Sequence, residues 1–216
     1  MPGFGPGELL DCYRTGVFPM ADSADDPRLY LIEPPERANI PLDGFHLPRR
    51  LRRTVRQDKF AITINQDFDA VVAACAAPAP DRRQTWINGP IRWLYSELHK
   101  MGHAHSVECR IEGRLAGGLY GVSLGAAFFG ESMFSHMTDA SKVALVHLIA
   151  RLKTGGFKLL DAQFMTDHLS QFGTEEVPAE IYRERLAEAV SQEADFFRMP
   201  EGASGDYALQ SIGQTS

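Results

Sequence analysis

The sequence has little cysteine, no long apolar run and no excess of positive charge, and each shortage excludes a class of protein. Its 216 residues include three cysteines, Cys12, Cys75 and Cys109. They are odd in number and widely spaced, which excludes a disulfide framework and any C-x-x-C zinc or redox pair. Each reads as a small buried apolar residue. No stretch approaches the roughly 18 apolar residues of a membrane span, and the start Met1-Pro2-Gly3-Phe4 has neither a basic cluster nor an apolar run. The expectation is a cytoplasmic protein with no membrane partner. The glycine-rich run from Gly117 to Ser132 lacks the Gly-Lys-Ser/Thr ending of a phosphate loop, and its glycines read as bulges and close backbone crossings. Ser132 lacks the G-x-S-x-G elbow of serine hydrolases. His99 and His103 stand one helical turn apart, but Gly102 separates helix from strand and no cysteine or carboxylate set completes a zinc site with His105. No metal is expected.

Basic residues are also in the minority, 22 Lys+Arg against 28 Asp+Glu for a formal net charge of -6, which by itself argues against a nucleic-acid partner. The sum hides its distribution. Residues 173–216 hold nine acids and three bases, so they carry the whole deficit and the rest of the chain is neutral. Within that neutral part, residues 49–59 gather Arg49, Arg50, Arg52, Arg53, Arg56 and Lys59 against the single acid Asp58. This is either a site for a polyanion or a solvated helix face.

What is present in quantity is the material of a globular core, 44% hydrophobic and 10% aromatic residues with 23% charged. Eight prolines fall within residues 1–48 around one short helix candidate between Pro6 and Gly16, so this segment reads as a small irregular N-terminal lobe. Residues 49–200 read as the main domain. Phe60, Ile62 and Ile64 alternate as a strand, and Phe68, Val71, Val72 and Cys75 follow helical spacing up to a loop around Pro78 and Pro80. Pro90 opens a helix with the face Ile91, Leu94, Tyr95 and Leu98. A strand through Val107, Cys109 and Ile111, a turn at Glu112-Gly113 and the runs Leu115–Val122 and Ala126–Phe134 make an antiparallel meander. Thr138 or Asp139 can cap a helix stopped at Gly155-Gly156. A short strand, Phe157–Leu160, then runs into Asp161, followed by a helix from Asp167 to Phe172 and an acidic one from Pro178. Residues 201–216 read as a frayed tail. The element order points to a mixed α/β (α+β) layer fold.

Two features point to chemistry. Asp161 and Gln163 stand two apart at the exit of a buried strand, where extended chain turns both side chains to one side; capping the helix at Asp167 is the structural alternative. Glu131 lies between Phe128-Phe129-Gly130 and Met133-Phe134, and a carboxylate so placed is costly to leave unpaired. It requires an internal basic partner or a cationic substrate.

The segments YRTGVFPM (13–20), TWINGP (85–90), GHAHSVE (102–108), GGLYGVSLG (117–125), FFGESMFS (128–135), DASKVAL (139–145) and LLDAQF with DHL and FG (159–173) resemble, in this order and spacing, the leucyl/phenylalanyl-tRNA-protein transferase family. The resemblance implies an acetyltransferase-like (GNAT superfamily) domain with a small N-terminal lobe. The activity implied is transfer of leucine or phenylalanine, and less well methionine, from aminoacyl-tRNA to proteins beginning with Arg or Lys, which marks them for N-degron proteolysis without metal or organic cofactor. It assigns catalysis to Asp161 and Gln163, with Asp161 polarising the Gln163 amide. It assigns the donor side-chain pocket to Leu119, Phe128, Met133, Leu145 and Leu160, adenine stacking to Trp86 and the acceptor's first side chain to Glu131. Where the family often has a tryptophan pair this chain reads Leu29-Tyr30-Leu31-Ile32, so the second wall around the adenine is either Tyr30 or missing. Thr166 and Ala179 stand where an asparagine and a basic residue are common near the acceptor. The basic run 49–59 becomes the expected hold on the tRNA backbone. Two alternatives are a CoA-dependent N-acyltransferase of the same fold, which Asp139 at a helix start opposes by repelling the pyrophosphate, and a non-catalytic RNA-binding module, which leaves Asp161, Gln163 and Glu131 unexplained.

Overall fold

The structure is a computed structural model that describes residues 3–78 and 84–213. Helix α1 (Pro6–Arg14) starts on a proline, whose missing N–H is no loss in a first turn, and buries Leu9, Leu10 and Tyr13. A ribbon of β1 (Phe18–Met20) and β2 (Tyr30–Ile32) follows, then β3 (Glu36–Asn39), α2 (Arg49–Arg56), β4 (Ala61–Ile64), α3 (Phe68–Ala76) and α4 (Gly89–Lys100). The meander comprises β5 (Ala104–Ile111), β6 (Arg114–Leu124) and β7 (Ala127–Ser135). The chain continues through α5 (Ala140–Gly155), β8 (Leu159–Gln163), α6 (Asp167–Ser170), β9 (Glu175–Pro178), α7 (Ala179–Val190) and α8 (Gly205–Gly213). The expected loop at Pro78 follows α3; Pro80 lies outside the described residues.

The large sheet has the order β4-β5-β6-β7-β8-β3-β9. Every neighbouring pair is antiparallel except β7 with β8, which α5 joins by the crossover that parallel strands require. Helices cover both faces. Side chains of α1, α3, α4 and α7 pack with Tyr120, Val122 and Phe129 on one face, and those of α2, α5 and α8 with Val107, Leu119, Phe128 and Leu160 on the other. The alternation of a strand places Phe128 and Phe129 on opposite sides.

The glycines of the meander act where backbone crowds backbone. At the register shift between Tyr120 and Gly121, a Cβ on Gly121 would lie 2.3 Å from the Phe129 carbonyl oxygen, and one on Gly117 would lie 2.6 Å from the Ala140 Cβ.

Three expectations need correction. The segment 1–48 is not wholly irregular: β3 is an inner strand of the large sheet, between β8 and β9. The tail is not frayed from residue 201, because α8 buries Ala208 and Leu209. Gly205 is what lets α8 dock: a Cβ there would sit 2.0 Å from the Val55 carbonyl oxygen, and its N–H donates to Asp58 Oδ1 at 2.6 Å. Finally, Asp139 occupies the N-cap of α5 with φ of 67° and makes no side-chain cap bond; Ser135 Oγ instead accepts the Ser141 N–H at 2.9 Å.

Candidate active site

Strands β7 and β8 pair only at Ala127↔Leu159, Phe128↔Leu160 and Phe129↔Asp161. Beyond Phe129 they part, because β8 turns at Gln163 (φ 65°) and pairs Ala38 of β3 there while β7 runs on to Ser135. A cavity of about 420 Å³ lies at this parting. Its apolar wall comes from Leu119, Met133, Leu145, Leu148 and Leu160, its polar wall from Glu131, Asp161 and Gln163, and Met20, Trp86 and Thr166 also line it. Volume does not single it out, since a cavity of about 690 Å³ lies at His136–Lys142. What distinguishes it is a pair of buried carboxylates facing apolar surface.

Asp161 is fully buried and saturated. Arg37, itself 1% exposed, donates to both carboxylate oxygens, from Nε at 3.2 Å and Nη2 at 2.5 Å. Tyr182 Oη donates to Oδ2 at 2.9 Å and the backbone N–H of Gln163 to Oδ1 at 2.8 Å. Arg37 also donates to the Gly16 carbonyl and lies between the rings of Phe18 and Tyr182, 4.7 and 4.3 Å from their centroids. Burial lowers the guanidinium pKa, but the Asp161 charge and hydrogen bonds outweigh it and the net shift is upward.

Glu131 has no such cation. Its Oε1 accepts from Tyr13 Oη at 2.6 Å and Gln163 Nε2 at 2.9 Å, and its Oε2 accepts from Tyr95 Oη at 2.6 Å. Burial pushes its pKa up to about 7 against the pull of these donors. Burial, with Glu131 adding to it, also holds the Tyr13 and Tyr95 hydroxyls well above the usual phenol range.

Of the two alternatives for Glu131, an internal basic partner is absent among the described residues, where two tyrosines and an amide hold the carboxyl, and a cationic substrate remains. The expected polarisation of the Gln163 amide by Asp161 is also not the arrangement found. The positive φ at Gln163 breaks the extended chain that would have aligned the two side chains, so Asp161 reaches only the Gln163 backbone while Glu131 holds its amide. With Nε2 committed, Gln163 Oε1 accepts no hydrogen bond among the described residues and is available to a donor in the cavity.

Two further placements differ. Phe128 sits at the paired end of the two strands, below their parting, and stacks on Phe196 at 5.6 Å away from the cavity wall. Tyr30 lines a separate cavity of about 480 Å³ with Arg28 and Trp93, while Met20, its partner across the ribbon, faces the cavity with Trp86. Trp86 is anchored by its neighbours: Asn88 Oδ1 caps α4 through the Ile91 N–H at 2.9 Å, and Asn88 Nδ2 donates to the carbonyls of Asp26 and Arg28. Thr166 caps α6 through the Leu169 N–H at 3.2 Å, so Asp161 is not that helix's cap.

Arg49, Arg50, Arg52, Arg53, Arg56 and Lys59 are all exposed on or just after α2, which docks through Leu51 and Val55. None lines the cavity, and Arg56 pairs with Asp206 at 3.2 Å. His105 is a core residue stacked 4.1 Å from Phe196, and burial lowers its pKa to about 3. Among the described residues no cluster of His, Cys, Asp or Glu could hold a metal ion, and no helix is long and apolar enough to cross a membrane.

Tyr13, Tyr95, Arg37 and Tyr182 are site residues that sequence reasoning passed over. Tyr95 gave a signal in principle, since it stands on an apolar helix face where a buried hydroxyl needs a partner. Arg37, in the run Pro34-Pro35-Glu36-Arg37, gave none.

The family model described as leucyl/phenylalanyl-tRNA protein transferase matches residues 39–187. The chain is 64% identical over 216 residues to the leucyl/phenylalanyl-tRNA–protein transferase of Maricaulis maris, with all of both chains covered. It is 58% identical over 221 residues to that of Phenylobacterium zucineum, again with complete coverage. Against that of Hyphomonas neptunium it is 56% identical over 213 residues, covering 99% of this chain and 81% of the relative.

Proposed function

The chain belongs to the leucyl/phenylalanyl-tRNA-protein transferase family, and from that membership we infer that it transfers leucine or phenylalanine from aminoacyl-tRNA to the N-terminal α-amine of proteins. The finer reading is that acceptors begin with Arg or Lys, that methionine is a poorer donor and that the products enter N-degron proteolysis. The mixed sheet covered by helices on both faces supports an acetyltransferase-like (GNAT superfamily) fold.

The observation that carries the mechanism is the pairing of an apolar wall with a free amide oxygen in one cavity. Leu119, Met133, Leu145 and Leu160 receive the donor side chain; the flexible thioether of Met133 adapts to Leu, Phe or Met. Trp86 stacks on the terminal adenine, worth typically about 1–3 kcal/mol. The acceptor α-amine has a pKa near 7.7–8.0, so roughly a tenth is neutral at pH 7. Gln163 Oε1 accepts an N–H of this neutral amine and aims its lone pair at the ester carbonyl. The C–N bond forms, the ester bond to the ribose breaks, and the amine proton ends on the released ribose hydroxyl. A neutral amide oxygen is too weak a base to keep that proton, and Asp161, with both oxygens saturated, acts by fixing the Gln163 backbone. Gln163 thus supplies orientation, the proximity component of catalysis. Glu131 meets the acceptor's first side chain, Thr166 borders the acceptor end, and the exposed bases of α2 hold the tRNA backbone.

The test is to incubate the protein with labelled leucyl-tRNA and peptides beginning with Arg, Lys, Asp or Ala. Transfer to the Arg and Lys peptides alone is expected. Equal transfer to Ala would remove Glu131 from acceptor choice, and binding without transfer would overturn the catalytic reading.

A further inference from the structure

Glu131, Tyr13 and Tyr95 form a closed triangle whose protons can be counted. Tyr13 Oη lies 2.6 Å from Glu131 Oε1, Tyr95 Oη 2.6 Å from Glu131 Oε2, and the two phenol oxygens 2.8 Å from each other. Oxygens at such distances hold a proton between them, so three contacts need three protons. The two phenols supply two. If Glu131 were ionised and accepted both, the phenol oxygens would face each other at 2.8 Å with lone pairs only. A proton on the carboxyl closes the ring: the acid donates to Tyr95, Tyr95 to Tyr13, and Tyr13 back to the other carboxyl oxygen, which also accepts from Gln163.

The charges around the site agree. Facing Glu131 are Tyr13 from α1, Tyr95 from α4, and Gln163 with Asp161 from β8; behind them stand Arg37 of β3, Tyr120 of β6 and Tyr182 of α7. Arg37 is the cation of this group, and Asp161 engages it through both oxygens. Glu131 is therefore a second buried carboxylate beside one cation already matched, a position in which the neutral form is favoured. The upward shift noted above has the same origin.

We propose that Glu131 is a neutral acid in the substrate-free protein and gives up its proton when the guanidinium or ammonium of the acceptor's first residue enters, so that this side chain is bound in exchange for a proton. This rests on the reading that Glu131 meets that side chain. The exchange balances: the carboxyl O–H bond breaks, its proton goes to solvent, and the incoming cation supplies the charge and the N–H donors that the carboxylate then needs. Tyr13 and Tyr95 are positioning residues that keep the acid closed on itself until a cation arrives. A neutral first residue cannot drive the exchange and meets a satisfied, uncharged ring. Below the titration of Glu131, affinity for the cation falls about tenfold for each pH unit.

The test uses the full chain labelled with ¹³C at glutamate carboxyls, with the Glu131 resonance assigned by its loss in Glu131→Gln, and follows it from roughly pH 5 to 8. N-propylguanidine is the probe, because it carries the cation without an α-amine that would titrate in the same range. The expected result is a midpoint near 7 in the free protein that falls by a unit or more when the probe is bound. Calorimetry of the unmodified protein with the probe in two buffers of different ionisation enthalpy gives the same answer without a variant, as proton release that peaks between the free and bound midpoints, about half a proton per probe for a one-unit shift and approaching one for a larger shift. A free-protein Glu131 ionised throughout the range overturns the proposal, and probe binding that still perturbs it would leave the acceptor assignment standing. A resonance that titrates near 7 but ignores the probe overturns the acceptor assignment itself.

Discussion

Replacing Arg37 by methionine removes the cation that holds Asp161 and leaves a fully buried carboxylate with only Tyr182 and a backbone N–H as donors. Breaking one side of a buried ion pair costs about 3–5 kcal/mol, because the surviving charge has neither water nor counter-ion. The two-point contact at 3.2 and 2.5 Å, the bond to the Gly16 carbonyl and the packing between Phe18 and Tyr182 place this pair at the upper end. For a chain of this size each kcal/mol moves Tm by roughly 2–4 °C, so a loss of about 5 kcal/mol lowers it by about 10–20 °C. The companion Arg37→Met/Asp161→Asn variant removes both charges and should recover most of the deficit, since a buried pair as a whole adds little net stability. Chemical denaturation at pH 7 with an unchanged m-value reads both. Transfer, measured where the single variant is folded, should fall more than donor tRNA binding, because the Gln163 backbone loses its anchor. A single variant within about 1 kcal/mol of the parent, or a double variant no better than the single, would refute the account of Arg37 as the counter-charge.

Two further expectations concern charge. Glu131→Gln reproduces the protonated acid and should be the more stable protein at neutral pH. In the parent the folded-state pKa is raised from the ordinary 4.5 to about 7. Its favourable contribution is therefore complete below about 4.5 and is lost as pH rises through 7, a difference of about 3 kcal/mol between the two ends. Parallel stability-against-pH curves for parent and variant would count against that shift. Replacing Arg49, Arg50, Arg52 and Arg53 by glutamine should leave Tm nearly unchanged, because all four are exposed. It should weaken donor tRNA binding and flatten its salt dependence, by about 0.9 in log–log slope for each duplex phosphate that the variant no longer neutralises; filter binding across a salt series that superimposes on the parent would remove α2 from the tRNA surface.

Much of the fold was legible because local rules and tertiary packing agree there. Pro6, Pro90 and Gly156 mark the helix ends they were expected to mark, and the period-two and glycine patterns between residues 104 and 135 give the meander its strands. What was not legible depends on partners distant in sequence. The strand β3 is four residues long, between prolines, and exists because β8 and β9 offer it edges. The helix α8 is nine residues long, too short to stand alone; it forms because Gly205 lets its first turn rest on the Val55 carbonyl. The motifs brought Trp86, Leu119, Glu131, Met133, Leu145, Leu160 and Asp161 to one cavity. Phe128 lies on the same face but outside the cavity, at the paired end of β7 and β8, and Tyr30 lines a separate cavity while Met20, its partner across the ribbon, faces this one.

The amino-acid sequence by itself determined the family, the layered α/β class and the need of Glu131 for a partner. Those follow from residue identity and spacing along a few consecutive turns or strands. Only the tertiary structure decided which groups share their protons and charges. Arg37 reaches Asp161 across 124 positions and Tyr13 reaches Glu131 across 118. The energies of such contacts depend on distance and burial in space, quantities that no pattern along the chain encodes.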